Sequence, residues 1–122
     1  MASYRGHVFI SGRVQGVSFR YAALRQAVRV GVTGWVRNLT DGRVEIVCEG
    51  GAEGVRQMVD WCNAGPPGAL IEDVEVAWEY PTGEFPSFEI AESATVEGGR
   101  RPRDEEYEDT EDEDDAEGSS EE

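Results

Sequence analysis

Between the apolar run Val8-Phe9-Ile10 and a segment whose apolar residues recur at Phe19, Ala23, Ala27 and Val30 lies Gly12-Arg13-Val14-Gln15-Gly16-Val17-Ser18-Phe19-Arg20. That spacing predicts a strand-to-helix connection. Gly12 and Gly16 bracket its bend; lacking Cβ atoms, they can take φ > 0, turn amide N–H groups inward and leave room for a ligand against the backbone. Ser18 is a good N-cap, and the helix behind it would aim unpaired N–H groups and its positive dipole end at the same hollow. Arg20, in the first helical turn, adds a planar guanidinium able to take two oxygens of a phosphate or carboxylate at once. The chemistry implied is the holding of an anion. The alternative is an ordinary tight turn, since glycine-rich strand-helix turns are common. A P-loop nucleotide hydrolase is disfavoured because no Gly-Lys-Ser/Thr follows the loop.

The remaining candidates are few. Asn38 stands at the end of a strand just before the turn Thr40-Asp41-Gly42, where an Asn ordinarily bonds nearby backbone. His7 is the only histidine, and with no Cys, Asp or Glu at ligand spacing it reads as a strand-surface residue rather than a metal ligand. Cys48, in an alternating strand pattern, and Cys62, on an apolar helix face, read as buried, reduced, structural thiols.

The elements that must position these groups follow from periodicity. Tyr4 to Gly12 reads as a strand whose near-continuous apolar middle suits a central position, and Ser18 to Val30 as a helix ended by Gly31. Thr33 to Leu39 and Arg43 to Glu49 flank an Asp-Gly hairpin turn, with Val44, Ile46 and Cys48 on one face and Trp35 as a core or sheet-face aromatic. Val55, Met58, Val59 and Cys62 mark a second amphipathic helix ended by Gly65-Pro66-Pro67. Val74, Val76, Trp78 and Tyr80 alternate with Glu75, Ala77 and Glu79 in a half-buried strand, and Phe88 and Ile90 close a short edge strand. The order βαββαβ plus an edge strand predicts an α+β, ferredoxin-like split βαβ sandwich, an antiparallel sheet with two helices on one face.

Composition sets the limits. The chain has 122 residues and a formal charge of −15; up to Gly99 there are 8 Arg and 13 acids, and from Arg100 onward 3 Arg and 13 acids. Residues 1–91 suffice for one small domain, and 92–122 read as an acidic, disordered tail. All 11 basic residues are Arg. An acid-rich, Lys-free surface suits a protein kept soluble in concentrated salt, so a halophilic, archaeal cytoplasm is the expected source, with codon bias as the alternative. The same charge argues against nucleic acid, whose phosphates require Lys and Arg patches. Met1-Ala2-Ser3-Tyr4-Arg5 has no apolar signal region and no run approaches a membrane span, so a cytoplasmic, membrane-free monomer is expected.

Two stretches together resemble the acylphosphatase family closely. Ile10 to Arg20 is similar to its phosphate-loop signature, and Gly34-Trp35-Val36-Arg37-Asn38-Leu39-Thr40-Asp41-Gly42-Arg43-Val44-Glu45-Ile46-Val47-Cys48-Glu49-Gly50 to its second signature. The resemblance spans about residues 4–91 and implies the same split βαβ fold. It implies hydrolysis of carboxyl-phosphate mixed anhydrides, small-molecule acyl phosphates, to a carboxylate and inorganic phosphate without metal or other cofactor. Carried over by position, it makes Gln15, Gly16, Val17, Ser18, Phe19 and Arg20 phosphate-binding. Arg20 and Asn38 become the catalytic pair, Asn38 positioning water rather than capping the turn. A phosphate- or small-anion-sensing module is the competing class, since the same loop would bind without turnover and fold alone does not fix function.

Overall fold

Apolar residues alternate at Val8 and Ile10, at Val44, Ile46 and Cys48, and at Val74 and Val76, giving three strands one apolar edge each, and two amphipathic helices cover it. In the computed structural model, which describes residues 2–96, the order is β1 (Tyr4–Arg13), α1 (Phe19–Val30), β2 (Thr33–Asn38), β3 (Val44–Gly50), α2 (Ala52–Cys62), β4 (Leu70–Glu79) and β5 (Phe88–Ile90). The strands form one sheet in the order β4-β1-β3-β2-β5, so β1 is interior, as its apolar middle implied. Val8, Ile10, Phe19, Ala23, Ala27, Val36, Ile46, Val55, Met58 and Cys62 make the core between sheet and helices. Gly31 ends α1 in the left-handed conformation, its N–H donating to the Ala27 carbonyl.

The sheet is mixed rather than antiparallel throughout. β1 pairs antiparallel with β3 and β4, and β2 with β3, but β5 runs parallel to β2. β4 points opposite to β1 and β2, so a chain that leaves it and turns once must run along β2. The pairing continues past β5: the Ala91 N–H donates to the Val36 carbonyl, the Ala94 N–H to the Asn38 carbonyl, and the Thr40 N–H to the Ala94 carbonyl. The acidic tail expected over 92–122 therefore begins within this paired stretch, and its residues 97–122 lie outside the described ones. In β4, Val74 and Val76 pack on the core, whereas Trp78 and Tyr80 are 62% and 94% exposed. Alternation names the face of a strand but not how far the helical layer reaches along it.

The face of the sheet away from the helices departs most from the sequence reading. His7, expected at the surface, is buried, and so are Glu45 and Glu49. His7 donates from Nε2 to Glu45 Oε2 at 2.5 Å and from Nδ1 to Glu79 Oε2 at 2.6 Å. Arg37, opposite Glu45 in the register, donates from Nε to Glu45 Oε1 at 2.6 Å. Arg5 donates from Nε to Glu49 Oε2 at 2.7 Å, and the Thr82 and Gly83 N–H groups donate to the same carboxylate. The segment between β4 and β5 thus crosses this face and closes over it. Cys48 and Cys62 are free and buried, and burial pushes the Cys48 thiol up to about 12 and Cys62 higher still.

A histidine donating from both nitrogens to carboxylates is an imidazolium. Burial opposes that charge, but hydrogen bonds to Glu45 and Glu79 outweigh it and raise the His7 pKa above its ordinary value. The resulting stability is complete below about pH 6.5 and is lost as pH rises through the raised value. Melting temperature measured from pH 6 to 8, below the range where thiols titrate, is expected to fall as pH rises. His7→Phe should flatten that slope and destabilise the protein by about 3 kcal/mol, because Glu45 then keeps only Arg37. A wild-type melting temperature that does not fall across this window would contradict the assignment.

Candidate active site

The loop from β1 to α1 bends as its glycines require, though the two do different work. Gly12, φ 129°, sits at a bulge where the β1–β4 register shifts, and a Cβ there would meet the Leu70 carbonyl oxygen at 2.0 Å. It serves strand pairing, not the hollow. Gly16, φ 75°, faces open space, so its requirement is conformational alone. Ser18 is the sole non-glycine at positive φ among the described residues, at φ 61° and ψ 29°. A serine held there costs about 1 kcal/mol or more, and such strain gathers where a backbone is shaped for a ligand.

That conformation overturns the expected cap. A capping serine sits in extended backbone, and the left-handed Ser18 makes no side-chain cap bond. The leading amides of α1 are thereby left without an intrahelical or capping partner, and no acidic residue occupies the first turn. Left-handed conformations at 16 and 18 are of the kind that lets successive N–H groups converge on one concavity, at the positive end of the helix dipole.

Gln15 fixes this loop to the hairpin that carries Asn38. Its Nε2 donates to the Leu39 carbonyl at 2.8 Å and to the Arg43 carbonyl at 2.9 Å, so its side chain is an anchor and only its backbone N–H remains for a ligand. Val17 turns its side chain into the core, near Gly68. Phe19 is buried against Trp61, with ring centroids 5.2 Å apart, and holds the helix start down.

Arg20 and Asn38 come together at one cavity of about 460 Å³. Gln15, Gly16, Ser18, Arg20 and Asn38 form its polar side, Val14 and Phe19 its floor, and Tyr21 and Ile90 its rim. Among the described residues Arg5, Arg37, Arg43 and Arg56 each pair with a carboxylate, and Arg20 with none. Asn38 does not cap its turn; that work falls to Asp41, whose Oδ1 accepts from the Arg43 N–H at 3.1 Å. Instead Asn38 Oδ1 is the one buried side-chain oxygen or nitrogen without a partner among the described residues. Buried polar atoms are nearly always bonded, so an orphan on a residue that lines a cavity calls for a partner there. A larger cavity, about 640 Å³, lies on the opposite sheet face around Arg5, His7, Trp35 and Arg37. Its guanidinium groups, those of Arg5 and Arg37, are already bonded to carboxylates, so it offers an anion no uncommitted guanidinium.

The acylphosphatase family model matches residues 6–90. The chain belongs to the acylphosphatase family. It is 60% identical over 86 residues to the acylphosphatase of Roseiflexus sp. (strain RS-1), spanning 70% of this chain and 92% of that protein. The Pelotomaculum thermopropionicum acylphosphatase is 53% identical over 91 residues, 75% of this chain and 99% of its own length. Among solved structures, the acylphosphatase from Bacillus subtilis superposes with a TM-score of 0.70 at 33% identity, covering 72% of this chain and 98% of that one. The chain is accordingly a hydrolase of the carboxyl-phosphate bond of acyl phosphates.

Among the described residues no group of three or more His, Cys, Asp or Glu is arranged to hold a metal, and no helix is long and apolar enough to cross a membrane.

Proposed function

We propose that the enzyme binds the phosphoryl group of its substrate on the amides of Gln15, Gly16, Val17, Ser18 and Phe19 and on the Arg20 guanidinium, with Asn38 orienting the attacking water. The observation that carries this is the unpartnered Oδ1 of Asn38, a residue that lines the same cavity as an Arg20 that no described carboxylate claims. In-line phosphoryl transfer asks a protein mainly to position groups and to neutralise charge on the equatorial oxygens, which amides and a planar guanidinium do. Oδ1 accepts a hydrogen bond from water and so aims its lone pair at phosphorus. Among the described residues no imidazole or carboxylate lines the cavity to act as base, and the substrate's own phosphoryl oxygen takes the water's proton. The acyl carboxylate is a good leaving group, and the reaction proceeds without metal. Hydrolysis of benzoyl phosphate, followed by ultraviolet absorbance with EDTA present, tests the reading. Turnover is expected, and a folded protein that binds phosphate without turnover would instead be a sensing module.

The surroundings of this activity are proposed on composition. The enzyme is a cytoplasmic monomer with no nucleic-acid or membrane partner: one catalytic domain followed by an acidic extension. Its 26 acids against 11 Arg and no Lys fit a halophilic origin. A dianionic substrate approaching a chain of net charge −15 is repelled at low ionic strength, whereas in molar salt the Debye length is about 3 Å and only short-range contacts matter. We expect kcat/KM for benzoyl phosphate to rise severalfold between low salt and molar KCl. A value independent of salt in a fully folded sample would remove both the steering argument and the halophile reading.

A further inference from the structure

The cavity is far larger than the group it is proposed to grip. Liquid water takes about 30 Å³ per molecule, so 460 Å³ is room for roughly fifteen waters. A phosphoryl group and one attacking water fill only part of that. Tyr21 and Ile90, two large apolar side chains that remain 58% and 42% exposed, also line the cavity.

Their places in the fold are well determined. Tyr21 follows Arg20 in the first turn of α1, and the Arg25 guanidinium lies over its ring at 5.9 Å. Ile90 owes its place to the parallel fifth strand. It pairs with Val36, and since cross-strand partners share a face and residues two apart in a strand share a face, Ile90, Val36 and Asn38 lie on the same side of the sheet. The rim therefore stands beside the water-positioning asparagine on one hand and the phosphate-gripping arginine on the other.

The lining also carries a charge signature. In a chain with 26 acids, none of the described ones lines this cavity, and its sole cation among the described residues is Arg20. A second anionic group on the acyl part of a substrate would find no counter-ion there except the guanidinium already engaged by the phosphoryl group. A flat or branched hydrocarbon would find two apolar side chains whose exposure it can cover.

We propose that Tyr21 and Ile90 form the acyl-group subsite and select acyl phosphates whose acyl part is apolar and uncharged. This rests on the phosphoryl placement proposed above. Grip on the phosphoryl group sets reactivity, and contact at the rim sets which acyl group is chosen.

The test compares kcat/KM for benzoyl and acetyl phosphate in the wild type, in Tyr21→Ser and in Tyr21→Ser combined with Ile90→Ser. Taking the benzoyl-to-acetyl ratio within each protein, and comparing it across proteins, cancels intrinsic anhydride reactivity and any general damage to the phosphate cradle. The ratio is expected to fall about fivefold in the single variant and about tenfold in the double one, as loss of apolar contact dictates. A ratio within about twofold of wild type in both variants would overturn the subsite, twofold being less than one methylene is worth. Tyr21 is mostly exposed, so its single variant decides the matter even where the Ile90 change impairs folding. Failure of the wild type to hydrolyse either compound would strike instead at the phosphoryl reading, and the subsite would fall with it.

Discussion

Arg20→Gln is expected to lower kcat/KM for benzoyl phosphate by about a thousandfold, with damage to both KM and kcat. The reason lies in what surrounds the guanidinium. Four of the eight described arginines are already spent on carboxylates, including Arg5 on Glu49 and Arg37 on Glu45, whereas Arg20 pairs with none of the described acids and stands at the mouth of an uncapped helix. Its charge is unneutralised beforehand, so an incoming phosphoryl group meets the full cation in a partly dehydrated setting. The glutamine amide is not a partial replacement, since it is neutral and lacks the two parallel donors; Arg20→Lys restores the charge without the fork and should recover about tenfold of the loss. Inhibition by inorganic phosphate should weaken in parallel with the rise in KM. A loss under about tenfold in folded Arg20→Gln would show that the loop amides alone carry the phosphoryl group.

The parts of this fold that were legible in sequence are those governed by neighbours in the chain. Helical spacing in Phe19, Ala23 and Ala27 and alternation in Val44, Ile46 and Cys48 report which side of a local element is buried, and these residues are buried. The bend at Gly16 was legible for the same reason, although the capping role read for Ser18 was not. What escaped depends on groups distant in sequence. His7, Glu45 and Glu79 come together only because β1 lies between β3 and β4, and Glu49 is covered only because residues 82 and 83 return across the sheet. A charged residue alternating with apolar ones reads as solvent-facing whenever the chain that will cover it is still thirty residues away. Gln15 illustrates the limit within the site itself: its residue type suits a ligand contact, yet both acceptors of its amide are backbone carbonyls on another hairpin. No local pattern distinguishes those two uses.

The two faces of the sheet bear on one another through β2. Arg37 is held from the face away from the helices by Glu45 and by stacking on Trp35, 4.4 Å from guanidinium carbon to ring centre, while the next residue, Asn38, turns to the helical face. Its carbonyl is held by the Ala94 N–H and the following Leu39 by Arg43 and Gln15. Adjacent residues pinned from opposite sides leave the Asn38 backbone little freedom, which is what a group that must aim a water requires. If Asn38 positions water as proposed, the buried ion network would thus help to hold the site.

Asn38→Ala should separate catalysis from stability in opposite directions. Oδ1 is buried without a partner, and a carbonyl oxygen in that state costs about 1–3 kcal/mol relative to one that is bonded. Removing it should leave the melting temperature unchanged or raise it slightly. Turnover should nevertheless fall by about a hundredfold to a thousandfold, because the water loses its orienting acceptor in the transition state. Phosphate inhibition should shift by no more than about threefold, since Arg20 and the loop amides remain. A turn-capping asparagine would behave the other way, losing about 1 kcal/mol of stability and leaving the chemistry nearly intact. Measured melting temperature, kcat and phosphate inhibition on the same preparation therefore decide between the two.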